Sequence, residues 1–226
     1  MKTILLLIQI FLVAAILPSQ AQDERKLAPF DAVSVTGNIE VILKKGTEEK
    51  AVIETWGIDE DDVNVFVKKD VLKLQLLKSI FDRDEKVTIR ITYTNLRAIK
   101  ANAGARLYSD EPITGDKLAV KATSGAVVDL DLDLNALDAS VTEGGILKLA
   151  GSVNNQTVSA GTGGQYNGID LECTRTYVRA STGGQATVVA TESIDASANT
   201  GGSIEYRGNP DERSTKTLLA GEIRRL

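Results

Sequence analysis

Apolar and polar positions alternate along the second half of the chain, and the alternation keeps one register from repeat to repeat. A short glycine-containing segment marks each repeat, and its first glycines stand 21, 19, 19, 20 and 18 residues apart. These glycines are Gly104, Gly125, Gly144, Gly163, Gly183 and Gly201. A period of about 20 residues is typical of a solenoid, in which each repeat buries its apolar face only by stacking on its neighbours.

Positions at fixed distances from these glycines divide into apolar and polar columns. Three residues before them stand Ala101, Ala122, Val141, Ala160, Ala180 and Ala198; five before stand Ile99, Val120, Ala139, Val158, Val178 and Ala196; three after stand Leu107, Val128, Leu147, Tyr166, Ala186 and Ile204. The column four before is polar throughout, with Lys100, Lys121, Ser140, Ser159, Arg179 and Ser197. Because successive side chains of a strand point to opposite faces, this pattern predicts strands with one buried face.

We therefore predict an all-β fold, a β-solenoid with coils of about 20 residues, brief strands and Gly-Gly corners. Residues 22–226 would form one domain, with longer-stranded coils over 30–98, six regular repeats over 99–208 and a C-terminal cap over 209–226. Val33 and Ile39 fit the columns three before and three after if Gly37 corresponds to the second glycine of a corner. The alternation in 63–67 and 71–76 predicts a β-hairpin or two long neighbouring strands.

Residues 1–21 have the pattern of a cleavable signal peptide. Lys2 precedes an apolar stretch from Ile4 to Leu17, and Ser19-Gln20-Ala21 is a candidate small-residue cleavage site. The alternative, a retained membrane anchor, is less favoured because the apolar stretch is short for a spanning helix. We expect the protein to be secreted, periplasmic or on the cell surface. Later segments are too short and too polar to span a bilayer, so no transmembrane segment is expected after cleavage.

Composition narrows the classes of function. The chain has 26 Lys and Arg against 31 Asp and Glu, a net charge of −5, which argues against nucleic acid as a partner. It has no histidine, which removes Ser-His and Cys-His nucleophile pairs and most zinc sites. Cys173 is the only cysteine, so it is either a buried structural residue or a thiol free for reaction or an intermolecular disulfide.

Two outward rows are candidate sites. Asp129, Asp131 and Asp133 alternate with leucines, and such a row is either a solvated face or a site for Ca²⁺ as a cofactor. Lys100, Lys121 and Arg179 share an outward column, beside which Tyr177 should be exposed. The second row either binds an acidic glycan, with Tyr177 stacking on a sugar ring, or serves solubility and protection against edge pairing.

The chain resembles a known family, the secreted head GIN domain proteins of auto-transporter adhesin type that are common in Bacteroidetes. The resemblance covers roughly residues 27–226 and is carried by three features: Phe30–Val41 (FDAVSVTGNIEV), the Ala/Ser/Thr-Gly-Gly corners, and Ile204–Pro210 (IEYRGNP). It implies a right-handed parallel β-helix in the cell envelope or outside the cell, and it brings no catalytic residues.

Three hypotheses of function follow. The favoured one is a non-catalytic, adhesin-like binding module that presents its solenoid surface to an extracellular or envelope protein or glycan. The second is a structural envelope component that self-associates into a homo-oligomer. The third is a polysaccharide lyase or hydrolase that uses the Asp129–Asp133 row with a nearby Lys or Arg, and it would require a cleft where these groups converge.

Overall fold

The computed structural model describes residues 23–77 and 85–226. It is an all-β solenoid of about seven turns, with 69% of the described residues in strands. The predicted signal peptide, residues 1–21, lies outside the described residues, so it stays a prediction. Within 23–77 and 85–226, no helix has the length and hydropathy that crossing a bilayer would require.

The strands follow one another with few residues between them. They are β1 (Asp23–Lys26), β2 (Ala32–Thr36), β3 (Glu40–Lys45), β4 (Lys50–Trp56), β5 (Val63–Lys68), β6 (Val71–Leu76), β7 (Lys86–Tyr93), β8 (Ala98–Asn102), β9 (Arg106–Ser109), β10 (Ile113–Ala122), β11 (Val127–Val141), β12 (Ile146–Gly161), β13 (Gln165–Ser181), β14 (Gln185–Val189), β15 (Ser193–Asn199), β16 (Ser203–Arg207), β17 (Glu212–Thr217) and β18 (Glu222–Arg225). A 3₁₀ turn at Glu60–Asp62 precedes β5. It belongs to a run of four acidic residues, 59–62.

All these strands belong to one 18-stranded sheet that wraps around the core. From β8 onward the pairing is parallel and in register, so that Val120 lies between Ile99 and Ala139, and Val178 lies beside Ala196. The predicted inward columns are buried along the whole stack. The alternation therefore places the core correctly, because each column becomes one continuous line of contacting apolar side chains.

The middle coils differ from the prediction of brief strands. The strands β11, β12 and β13 contain 15, 16 and 17 residues, so a single strand accounts for most of each coil. Each pairs with parallel neighbours on both sides. The ladders β11–β12 and β12–β13 continue through the bend, whereas β11 pairs with two separate strands on its other side, and so does β13. The bend is accommodated locally in β12, where the register shifts between Lys148 and Ala150 and Gly151 has a φ of 101°.

The turn before β14 shows why its two glycines are needed for different reasons. Thr182 and Gly183 both have positive φ, 51° and 72°, and the amide of Gly184 donates to the carbonyl of Ser181 at 2.9 Å. This is a tight turn in which Gly183 avoids the penalty of a left-handed backbone. Gly184 has a different constraint, since a Cβ there would lie 2.3 Å from the carbonyl oxygen of Ala160 in the preceding coil.

The structure changes the alignment that the sequence predicted for the N-terminal coil. Val33 pairs with Ile99, five residues before the corner glycine, and Val41 pairs with Leu107, three residues after it. The prediction that Val33 and Ile39 occupy the columns three before and three after was wrong by two residues. A shift of two keeps every side chain on its face, so the alternation could not detect the error. The predicted hairpin of β5 and β6 is confirmed as an antiparallel pair.

Residues 212–225 form a further coil, in which β17 pairs with β15 and β18 pairs with β16. The inward positions of β17 are polar where those of β15 are apolar, whereas Ile223 on β18 lies beside Ile204 and is partly buried. Arg213 lies beside Ile194, and Thr215 lies beside Ala196. Every residue of β17 is exposed. The region predicted as a cap therefore has the backbone of a coil, but the side chains of its strand β17 are polar and exposed. These side chains disfavour the stacking of another coil upon it.

Candidate binding surface

One outward column runs the length of the solenoid and carries only lysine, arginine and serine. We call it the basic row. Its members, in the order of the paired strands, are Lys73, Ser34, Lys100, Lys121, Ser140, Ser159, Arg179, Ser197 and Lys216. The structure thus places Lys100, Lys121 and Arg179 in the predicted column, and it adds Lys73 and Lys216, which lie outside the regular repeats.

Lys100 and Lys121 are direct neighbours in this row, on β8 and β10, and both side chains are exposed. Like charges opposite one another on adjacent strands repel. Over residues 23–77 and 85–226, neither ammonium group has an ion pair. Protection of a sheet edge does not explain them, because β8 lies between β2 and β10 and is not an edge strand.

Shallow clefts follow the basic row along the same face. One has a volume of about 350 Å³. Its apolar walls come from Ala98 and Ala119 beside the two lysines, and Asp138 also lines it. A second, of about 220 Å³, continues toward the N-terminal end and shares Lys100 with the first. A third, of about 520 Å³, lies at the C-terminal end and is more polar, with Tyr177 in its wall. Together they form an interrupted groove beside the cations.

Tyr177 and Arg179 lie two residues apart on β13 and therefore on the same face. The guanidinium carbon of Arg179 lies 5.0 Å from the centroid of the Tyr177 ring, which is within cation–π distance. Tyr177 is half-buried, whereas the sequence predicted it exposed. The guanidinium covers part of the ring, and Thr157 and Asp195 lie on either side of it in register.

Acidic side chains border the basic row but do not enter it. Asp138 lies in the neighbouring outward row and forms an ion pair with Lys117 at 2.7 Å. Asp195 is exposed and lies in register with Tyr177. The face therefore has an uninterrupted line of positive and neutral side chains with negative charge at its margin.

The row of Asp129, Asp131 and Asp133, which we call the acidic row, is exposed on another part of the coil. Asp129 lies between Tyr108 and Lys148 in register, and Asp133 accepts a hydrogen bond from the Ser152 hydroxyl at 3.3 Å. Among the described residues there is no group of three or more His, Cys, Asp or Glu side chains that could hold a metal ion. The three carboxylates follow an extended strand and do not converge, so the structure lends no support to the hypothesis of a Ca²⁺ site.

Sequence reasoning missed a polar cluster inside the core. The Tyr166 hydroxyl donates to Oε1 of Gln156 at 2.7 Å, and Nε2 of Gln156 lies 2.9 Å from Oγ1 of Thr176. Both Nε2 of Gln156 and the Thr176 hydroxyl also donate to the carbonyl of Val189, at 3.2 and 2.8 Å. Burial raises the pKa of the Tyr166 hydroxyl well above its usual range, which keeps it neutral.

A signal for this cluster was present in the sequence. In the five repeats from Gly125 onward, the residues seven before the corner glycine are Leu118 and Leu137, then Gln156 and Thr176, then Ile194. The column is buried throughout, including Gln156 at 2% exposure and Thr176 at 3%. Two polar residues at adjacent levels of an otherwise apolar column indicate a buried hydrogen-bonded pair.

Cys173 lies beside this cluster, and the structure favours the buried structural role. Its side chain is 2% exposed, and the thiol donates to the carbonyl of Arg175 at 3.1 Å. Burial raises the pKa of the thiol, which lowers the thiolate fraction at neutral pH.

We predict that Cys173 resists alkylation in the native protein. At pH 7.5, labelling with iodoacetamide should be at least about tenfold slower in buffer than in urea, because only the exposed thiolate reacts. Mass spectrometry of the labelled peptide measures the ratio, and a free thiol peptide gives the reference rate. Equal rates in buffer and in urea would contradict the burial.

A family model matches residues 29–210, and its description is "Putative auto-transporter adhesin, head GIN domain". The chain belongs to the head GIN domain family. The match covers most of the solenoid, from the residue before Phe30 to Pro210. It confirms the resemblance seen in the sequence, and the family's adhesin description agrees with a surface or secreted protein. The chain matches none of the curated proteins.

Solved structures of similar fold cover nearly the whole solenoid. A protein from Bacteroides fragilis described as a "putative adhesin" has a TM-score of 0.80 and 24% identity, over 91% of this chain and 96% of that one. A "putative adhesin" from Parabacteroides merdae has a TM-score of 0.68 and 19% identity, over 91% and 95%. A "putative lipid binding protein" from Parabacteroides distasonis has a TM-score of 0.68 and 17% identity, over 91% and 96%. At these identities, the likeness shows a shared fold.

Proposed function

We propose that this head GIN protein is an exported, non-catalytic binding module, and that the face carrying the basic row is its contact surface for a protein or glycan outside the cytoplasm. The observation that carries the proposal is the pair of neighbouring, unneutralised lysines beside an apolar cleft. Exposed cations that repel one another lower stability slightly. Their placement in the middle of the stack is best explained by an anionic partner.

The rest of the molecule supports a binding role. The family and two of the three structural relatives named above are described as putative adhesins. The signal peptide predicted over residues 1–21 would deliver the domain to the periplasm, the cell surface or the medium. A catalytic role for the Asp129–Asp133 row has less support, because these carboxylates lie on an open strand face instead of converging in a cleft.

The first test is a screen of residues 22–226 on arrays of glycans and extracellular-matrix proteins, with and without Ca²⁺. We expect a saturable signal that the double variant Lys100→Ser/Lys121→Ser reduces at least about tenfold, because neutralised contacts remove charge-assisted hydrogen bonds. Tyr177→Ala should reduce it as well if the ring contacts the partner.

Lys148→Ser is the matched control, since Lys148 is equally exposed but lies in register with Asp129, away from the basic row. It should leave the signal unchanged. Binding that survives the double lysine change but is lost in Lys148→Ser would move the contact surface to another face. Absence of any signal would favour the self-associating structural role, which sedimentation velocity would show as a concentration-dependent oligomer.

A further inference from the structure

We infer that the basic row binds a linear acidic polysaccharide lengthwise, so that the sugar chain lies along the solenoid axis and crosses successive coils. This inference rests on the proposed function and gives it a chemical class of ligand. The shared chemistry is a chain with anionic groups at regular intervals, either sulfates or uronic acid carboxylates.

The first argument is the shape of the charged surface. The basic row runs from Lys73 on β6 to Lys216 on β17, eight strand-to-strand steps. At the usual strand spacing this is roughly 38 Å. The row of charged side chains is one residue wide and extends over many coils. Such a line fits an extended polymer, whereas a compact anion would meet only one or two of the cations.

The second argument is the composition of the row between its cations. Ser34, Ser140, Ser159 and Ser197 separate the charged positions, and no acidic residue interrupts them. Serine is short, so a chain can approach the sheet, and its hydroxyl can donate to or accept from a sugar hydroxyl. Lysine provides a flexible point charge that tolerates variation in the position of an anionic group.

The third argument distinguishes a glycan from other polyanions. Ala98 and Ala119 line an apolar cleft immediately beside the two lysines, and the Tyr177 ring lies farther along the same face. Apolar and aromatic surface beside charged groups suits sugar rings, whose faces carry C–H groups while their substituents carry the charge. The row is bordered by Asp138 and Asp195 and not by a second row of positive charge, which duplex nucleic acid would need for its other backbone.

The test measures binding of two polyanion series to residues 22–226, heparin-derived fragments and oligogalacturonates, from disaccharide to decasaccharide, with neutral dextran as the reference. We expect the affinity to rise at least about tenfold from disaccharide to decasaccharide as more cations are engaged. The affinity should also fall with salt, because bound cations release the counterions of the polymer. Lys100→Ser/Lys121→Ser should weaken decasaccharide binding at least tenfold and reduce its salt dependence, while Lys148→Ser should change neither.

The outcomes separate the inference from the function on which it rests. Binding of either series with this length dependence supports the inference, and the preferred series identifies sulfate or carboxylate as the anionic group. A disaccharide that binds as tightly as the decasaccharide, or dextran that binds equally well, overturns the lengthwise polyanion. If a matrix protein binds through Lys121 and neither polyanion series binds, the inference is wrong but the proposed binding function stands. If no polyanion binds and the arrays give no signal, both the inference and the proposed function are wrong.

A second copy of the chain is the remaining alternative occupant of the row. It would appear as a dimer or larger species in sedimentation velocity without added glycan. If Lys100→Ser/Lys121→Ser abolished that species, the row would be a self-association surface and the inference would be wrong. A monomer at the concentrations used for binding supports a glycan ligand when the length series is positive.

Discussion

Replacing Gly184 with alanine is expected to lower the free energy of unfolding by about 3 kcal/mol or more, whereas the same change at adjacent Gly183 costs about 1 kcal/mol. A Cβ at Gly184 would lie 2.3 Å from the carbonyl oxygen and 2.5 Å from the carbonyl carbon of Ala160. Both atoms belong to the backbone of the preceding coil, so relief requires the coils to separate. At Gly183 a Cβ would meet nothing within 4 Å, and only its φ of 72° is unfavourable.

Urea unfolding followed by circular dichroism would measure both variants against the parent protein. Gly183→Ala is the matched control, because it introduces the same methyl group one residue away in the same turn. Ala126 occupies the position equivalent to Gly184 in an earlier coil and is fully buried there. Ala126→Gly should therefore cost only about 1 kcal/mol, from backbone entropy. Equal losses at Gly183 and Gly184 would show that contact between coils does not restrict the second glycine.

The second large effect is expected at the buried polar cluster. Gln156→Leu should cost about 3 kcal/mol, because it leaves the Tyr166 hydroxyl without its acceptor and removes a donor to Thr176 and to the Val189 carbonyl. Tyr166→Phe should cost about 1 to 2 kcal/mol, since it leaves Oε1 of Gln156 buried without a donor. The Thr176 hydroxyl still donates to Val189 in both variants.

A double-mutant cycle tests whether these groups act together. The variant Gln156→Leu/Tyr166→Phe should cost less than the sum of the single changes, because it leaves neither side chain with an unpaired polar atom. Thr157→Ala, on the exposed side of the same strand, is the control and should change the stability by less than about 0.5 kcal/mol. Additive costs in the cycle would mean that the 2.7 Å contact between Tyr166 and Gln156 contributes nothing specific.

The sequence alone predicts the inward and outward columns of residues 99–208, because period-two alternation has one consistent solution when every repeat supplies the same positions. It cannot place Val33 to better than two residues, since both alignments bury the same face. Nor does it show that β11, β12 and β13 continue through their bends, because backbone pairing with neighbouring coils, and not local residue type, sets their length.

The candidate surface was predictable only in part. Lys100, Lys121 and Arg179 could be aligned because they follow the repeat. Lys73 joins the row because β6 pairs with β2 outside the regular period, and no spacing in the sequence indicates that pairing. The cover of Tyr177 by Arg179 depends on side-chain conformation, which alternation does not determine.

The in-register stacking of coils also determines how the protein can change in evolution. A single residue inserted within a strand would turn every later side chain of that strand to the opposite face, and the core would be lost. Duplication of a whole coil, such as residues 145–163, would instead add one more level to every column at once. The unit of viable length change is therefore the coil, and relatives that differ by whole coils would carry longer or shorter versions of the same surface.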